Sequence, residues 1–356
     1  MPLSLLRVVT EVDLKQPFSF TSTKRTMLKP VHTLVVRDWK EDVVQLVQFP
    51  RTHTIISPSP FALKLETFLR MNNIKYHNVS NDFTKASAKG QSPFIELNGR
   101  QFPDSGMCIE HLHSHFKLSI DNHLSANERA QLRAFNMLIE ESLFRCLQCD
   151  RSKDYGWLAS DKGYAPLLPS VQKFLFQKLL IKQLQSRLKK TCVGQGYGRH
   201  TQEEIDDIAK KDLMAISTFL GEKPFFFGDN PTTASFFCPE NSNLLDATLF
   251  GHLVQFTDAP LKTDAIKPFI ETSTPNLVAY VQRMKERYWP DWAEILEHLA
   301  LNPEDLEKSK EAAAAATVAG ENGAKVTDQP QQVTTVVTEV TTTAPASEGM
   351  TVQAQG

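Results

Sequence analysis

Residues 57–70 read Ser57-Pro58-Ser59-Pro60-Phe61-Ala62-Leu63-Lys64-Leu65-Glu66-Thr67-Phe68-Leu69-Arg70. Ser59 followed by Pro60 is a helix start. A serine oxygen accepts from the free N–H groups of the first turn, and the fixed φ of proline suits the first helical position. Phe61, Leu65, Phe68 and Leu69 then recur at helical spacing, which gives the helix an apolar face to lay on a sheet. That sheet is legible on both sides. Val43 to Phe49 is short, β-branched and nearly continuous in apolar character, as a strand buried on both faces is. Tyr76 to Val79 reads as a second strand. Phe94-Ile95-Glu96-Leu97 and Arg100-Gln101-Phe102 flank Asn98-Gly99, a strong hairpin signal, and a further helix begins near Gly106.

A parallel strand pair bridged by a helix, followed by an antiparallel hairpin and a helix, predicts a thioredoxin-like sheet over residues 41–118. Ser92-Pro93 stands directly before the third strand, where this fold holds a cis proline; an X-Pro bond is the common place for that isomer. From Ser125 onward the strands stop. Ser125 with Glu128 and Thr201 with Glu204 are capping-box pairs, each ahead of a long amphipathic run, and Gly221 suits the stop of the second. Ser170 to Lys190 is helical in period and basic. Leu249 to Phe256, Asn276 to Arg287 and Asp291 to Leu299 complete an all-helical domain over residues 124–300.

The 356 residues allow two domains. Lys plus Arg number 39 against 41 Asp plus Glu, a formal charge of -2, so no general field gathers nucleic acid. No apolar run approaches the roughly 18 residues of a membrane span. The first residues have too short an apolar core for a secretory signal, and Glu11 with Asp13 spoils a transit peptide. Five cysteines at scattered spacing point to a reducing compartment, so a soluble cytosolic protein is expected. Residues 1–40 read as a flexible leader. Residues 305–356, with the Ala312 to Ala316 run and Thr/Val repeats, lack the apolar surface to offset the entropy of ordering and are expected to be a disordered tail.

The two halves together resemble a glutathione S-transferase and, more narrowly, the failed axon connections family, a metaxin-related branch of that superfamily. The resemblance is carried by residues 57–70, by Ser92-Pro93-Phe94-Ile95-Glu96-Leu97-Asn98-Gly99, and by Pro103-Asp104-Ser105. In the second half it rests on Pro224 to Thr233 and on Leu245-Asp246-Ala247-Thr248-Leu249-Phe250-Gly251-His252-Leu253. In the family, Pro-Thr-Thr runs directly into Leu-Asp-Ala-Thr. Here residues 234–244 intervene, and an outward loop is expected, with Asn243 as the new cap of an intact helix.

The resemblance implies a glutathione site. Ser59 stands where related classes read Cys-Pro-Phe and is the candidate thiolate stabiliser, aided by the partial positive charge of the helix N-terminus. A serine forms no mixed disulfide, and Ala62 replaces the second redox cysteine, so disulfide exchange is not expected. Ser92, Pro93, Asp104 and Ser105 are the candidate glutathione-binding residues, the last two at the γ-glutamyl end. Capping alone also explains Ser59, Asp104 and Ser105. His111, His113 and His115 read as a surface helix end rather than a metal site, and Cys146 with Cys149 as packing cysteines. Gly194 to Gly198 follows no strand and fails as a dinucleotide fingerprint. The basic face of residues 173–190 is a solvated face or a contact for an acidic partner or an anionic membrane.

The resemblance implies a cytoplasmic binding or adaptor protein of axon development, peripheral to membranes in axons, with weak or no catalysis and with partner contacts through the tail and residues 173–190. The alternative is an active transferase joining glutathione to electrophiles. Glutathione is the expected co-substrate, with no covalently bound cofactor, no nucleic acid and no transmembrane segment. A homodimer is compatible with the resemblance, although no residue demands one.

Overall fold

The computed structural model of the protein describes residues 34–118, 124–228 and 244–311. β1 (Val44–Gln48) is buried at every position, which is why its sequence shows no alternation. α1 (Pro60–Met71) crosses over to β2 (Tyr76–Ser80), which runs parallel to β1 with Tyr76 opposite Val44. β3 (Phe94–Leu97) pairs antiparallel with β1, and β4 (Arg100–Pro103) with β3. Asn98 and Gly99, at φ 48° and 75°, supply the two left-handed residues that this hairpin turn requires. The strand order β2-β1-β3-β4 is the expected thioredoxin-like sheet. The Ser92–Pro93 bond is cis, and α2 (Ser105–His115) completes this half.

The second half is helical. α3 (Ala126–Met137) opens with the Ser125/Glu128 capping box, passes through a π-helical turn at Leu138–Leu143 and continues as α4 (Phe144–Lys153). α5 (Ser170–Leu175) likewise runs through a π turn at Phe176–Leu180 into α6 (Ile181–Gly194). The sequence period predicts unbroken helices at both places, whereas each π turn shifts the face that its residues present. α7 (Gln202–Leu220) carries the Thr201/Glu204 box and stops at Gly221, φ 56°. α8 (Leu244–Thr257), α9 (Ile266–Ser273), α10 (Pro275–Tyr288) and α11 (Trp292–His298) follow. α8 is the centre of this half, with every position from Leu245 to Phe256 buried. Its helix is intact, as expected; the Asn243 cap and residues 234–243 lie outside the described residues, and Leu244 already belongs to the helix.

The halves meet where α1 lies on α8, and two ties reinforce that contact: Trp289 Nε1 donates to Thr67 Oγ1 at 3.1 Å, and Arg70 pairs with Asp291 at 2.7 Å. Two expectations about the ends are corrected. The N–H groups of Val35 and Val36 donate to the Glu96 carboxylate at 2.9 to 3.0 Å, so the last part of the 1–40 leader is tied to a side chain of β3. Residues 303–311 are helical with Leu306 buried, although a tail is expected from 305. Asn302 explains the attachment: its side chain accepts from the N–H of Asn78 and donates to the Asn78 carbonyl, at 2.7 and 2.9 Å, as a neighbouring strand would. The remainder of that segment lies outside the described residues.

Candidate functional site

Ser59 is the N-cap of α1, with β-region backbone (φ -93°, ψ 112°) and its Oγ accepting from the N–H of Ala62 at 3.3 Å. Capping uses the oxygen as an acceptor and leaves the hydroxyl proton to donate elsewhere. The loop ahead of it is anchored from below. Arg151 donates to the Pro58 carbonyl at 2.9 Å and to Gln255 Oε1 at 2.6 Å, and Gln255 in turn donates to the Ser57 carbonyl at 3.1 Å. All of these groups are buried, so α4 and α8 fix the direction in which α1 begins.

Asp104 caps α2. Its Oδ1 accepts from the N–H groups of Gly106 and Met107, at 3.0 and 3.3 Å, which leaves Oδ2 uncommitted to the cap. Its backbone sits at φ 72°, ψ 122°, outside the regions a non-glycine residue ordinarily occupies. Strain of this kind persists where surrounding structure enforces it, and functional sites are where it gathers. Ser105, the first residue of α2, is buried. Ser92 Oγ accepts from Asn81 at 3.3 Å.

Ser59, Ser92, Pro93, Asp104 and Ser105 all line one cavity of about 770 Å³. Two helix N-termini, those of α1 and α2, therefore open on the same space, and both favour negative charge. One wall of the cavity comes from the thioredoxin-like half. The helical half contributes Phe144, Tyr164, Phe176, Leu180 and Leu184, beside the polar Glu140, Glu141, Arg145 and Gln148, and Phe83 of the thioredoxin-like half joins this aromatic group. Phe83 and Tyr164 pack edge to face at 4.9 Å, and the buried Tyr164 hydroxyl has no hydrogen-bond partner among the described residues. Burial pushes the Tyr164 phenol well up, so it is a neutral donor.

Neither the aromatic wall nor the two π turns is marked by a local sequence pattern. Glu140 and Glu141 in the first turn line the cavity, as do Phe176 and Leu180 in the second. Glu140 accepts from buried Lys64 of α1 at 2.7 Å, and Glu141 from Arg145 at 2.6 Å. No i,i+4 pattern marks a contact such as Lys64 to Glu140, because it spans 76 residues and depends on the π turn. The other candidates are held elsewhere. His111 stacks on Phe102 at 3.7 Å, and His115 pairs with Asp42 at 2.7 Å. Among the described residues, no His, Cys, Asp and Glu cluster is arranged to hold a metal. Cys146 and Cys149 are buried, and burial pushes the Cys146 thiol up to about 12.

The comparisons with known proteins agree with this architecture. The family described as "Glutathione S-transferase N-terminal domain" matches residues 60–157, and "Glutathione S-transferase, C-terminal domain" matches residues 209–284. The chain is 35% identical over 277 residues to "Failed axon connections" of Drosophila melanogaster, a match covering 74% of this chain and 62% of that relative's length. It is 28% identical over 237 residues to "Isoprene-epoxide--glutathione S-transferase" of Rhodococcus sp. (strain AD45), covering 65% of this chain and 92% of the relative. It is 24% identical over 261 residues to "Metaxin-2" of Mus musculus, covering 71% and 91%. The sheet order, the helical second half and these matches together make the chain a metaxin-related, glutathione S-transferase-like protein, similar over most of its length to "Failed axon connections".

Proposed function

We propose that the cavity binds glutathione and that the chain acts as a glutathione-dependent binding or adaptor protein of axon development, with weak or no catalysis. The observation that carries this reading is the gathering of Ser59, Ser92, Pro93, Asp104 and Ser105 around one space, with Ser59 at the mouth of α1. In this reading the Ser59 hydroxyl donates to the glutathione sulfur, and the N-terminus of α1 favours the thiolate over the thiol. Asp104 Oδ2 receives the γ-glutamyl ammonium, while the Ser105 hydroxyl and the N-terminus of α2 receive its carboxylate. The bend at Ser92–Pro93 offers backbone groups to the cysteinyl residue. The role in axon development is taken from the likeness to "Failed axon connections".

A specific observation favours a second reading, catalysis on apolar electrophiles. The wall facing Ser59 is aromatic and roomy enough for a second substrate, and a bacterial relative is named for joining an epoxide to glutathione. One scaffold serves both roles, so the fold does not choose between them. Retention on immobilised glutathione together with turnover of an activated aromatic chloride separates them. The adaptor reading expects retention with turnover near background. Turnover abolished by Ser59→Ala makes the chain an enzyme, and no retention with no turnover removes the glutathione site.

A further inference from the structure

Six of the ten large hydrophobic side chains left exposed among the described residues lie between positions 167 and 193. Singly scattered exposed hydrophobics are ordinary; a cluster is not. The most exposed are Val171 at 81%, Phe174 at 64% and Leu179 at 50%, on α5 and the π turn that follows. Phe176 and Leu180, two residues of that turn, line the cavity instead. This end of the helix is thus apolar on two sides, one against the cavity and one against water, whereas a surface helix normally turns a polar face outward.

The charge of the same segment is one-sided. From Ser170 to Gly194 there are six basic residues, Lys173, Lys178, Lys182, Arg187, Lys189 and Lys190, and no acidic residue, in a chain whose formal charge is -2. Lys173 is paired with Asp161 at 2.8 Å. Lys178, Lys182, Lys189 and Lys190 are exposed, as are Val171, Phe174 and Leu179, and Val171, Phe174, Lys178 and Lys182 follow one another at three- and four-residue steps. The segment also falls between the two family matches, which end at 157 and resume at 209.

We infer that the Ser170–Gly194 helix docks the protein on an anionic lipid bilayer. Val171, Phe174 and Leu179 enter the boundary between headgroups and acyl chains, and the lysines further along lie over lipid phosphates. Lysine, rather than arginine, supplies nearly all of the charge. An ammonium is a point charge on a flexible stem and suits a diffuse phosphate surface, whereas paired carboxylates on a folded partner favour the planar fork of arginine. The inference does not depend on glutathione, because Phe174, Lys178 and Lys182 are outside the cavity wall.

The test is co-sedimentation of the full chain with vesicles of phosphatidylcholine alone and with vesicles rich in phosphatidylserine. The expected result is sedimentation with the second kind only, weakened by salt, and at least about tenfold weaker for Phe174→Glu and for Lys178→Glu with Lys182→Glu. Circular dichroism and retention on glutathione should be unchanged in all of these variants. Lack of sedimentation with either vesicle overturns the inference, and so does sedimentation that the variants leave unaltered. A dimer in analytical ultracentrifugation that Phe174→Glu converts to monomer, without vesicle binding, assigns the face to a second copy of the chain and equally overturns it.

Discussion

Gly251 of α8 lies so close to the first turn of α1 that a Cβ added to it would stand 2.6 Å from the Pro60 carbonyl oxygen and 2.7 Å from the Lys64 nitrogen. The contact joins the two halves one residue from Ser59. In an exposed helix interior, glycine to alanine stabilises by about 1 kcal/mol. Here the expected sign is reversed: Gly251→Ala forces α1 away from α8 and lowers stability by about 1–3 kcal/mol. Chemical denaturation checks this, and unchanged or raised stability would show that the helices have room to separate.

The Arg51–Glu66 pair makes a second prediction. Both side chains are fully buried, and the guanidinium meets both carboxylate oxygens, at 2.7 and 2.8 Å. Burial pushes the Glu66 carboxyl up, but the Arg51 charge and hydrogen bonds outweigh it and hold the carboxyl down at about 2. Glu66→Gln strands the arginine charge and should cost about 3–5 kcal/mol. Arg51 also donates to the carbonyls of Ala300 and Leu301, at 3.4 and 3.1 Å. Hydrogen exchange over residues 300–311 should therefore speed up in the variant more than exchange in α7.

His252 makes the molecule acid-sensitive in a separate range. It is completely buried between Phe61 and Phe144, its Nδ1 donates to the Thr248 carbonyl at 2.8 Å, and its Nε2 has no partner among the described residues. Burial lowers its pKa from 6.5 to about 4. A depressed folded-state value means that the neutral ring's contribution is whole above pH 6.5 and is lost as pH falls through 4. Glu66 follows the same sign from its ordinary 4.5 down to about 2. Melting temperature against pH should fall between 6.5 and 4 in the native chain and be nearly flat there in His252→Leu. Parallel profiles for the two proteins would mean that the ring is not held neutral.

Much of this molecule is written locally. The Ser59-Pro60 start, both capping boxes and the Asn98-Gly99 turn depend on neighbours a few residues away, and each is found where local chemistry predicts it, whereas the cis Ser92–Pro93 bond is expected only once the fold is read. What was not legible depends on distant groups. The π turns at Leu138–Leu143 and Phe176–Leu180 follow a helical period that gives no sign of an added residue. Arg151 anchors the loop before Ser59 through Pro58 and Gln255, contacts 93 and 104 residues away that its local sequence does not mark. Asn302, in a stretch of low hydrophobicity, holds residues 303–311 to the edge of β2 through two hydrogen bonds that no composition reveals.

The proposed site separates capping from ligand recognition at Ser59. Aspartate caps a helix about as well as serine, whereas alanine costs about 1 kcal/mol. Aspartate, however, places a negative charge beside the glutathione sulfur and has no proton to donate at neutral pH. Calorimetric titration of glutathione into the native chain, Ser59→Asp and Ser59→Ala is therefore the most direct measurement. The account predicts binding to the native chain, loss of affinity in both variants, and a melting temperature lowered only in Ser59→Ala. Equal affinity in all three proteins, or no heat with the native chain at millimolar glutathione, would contradict it.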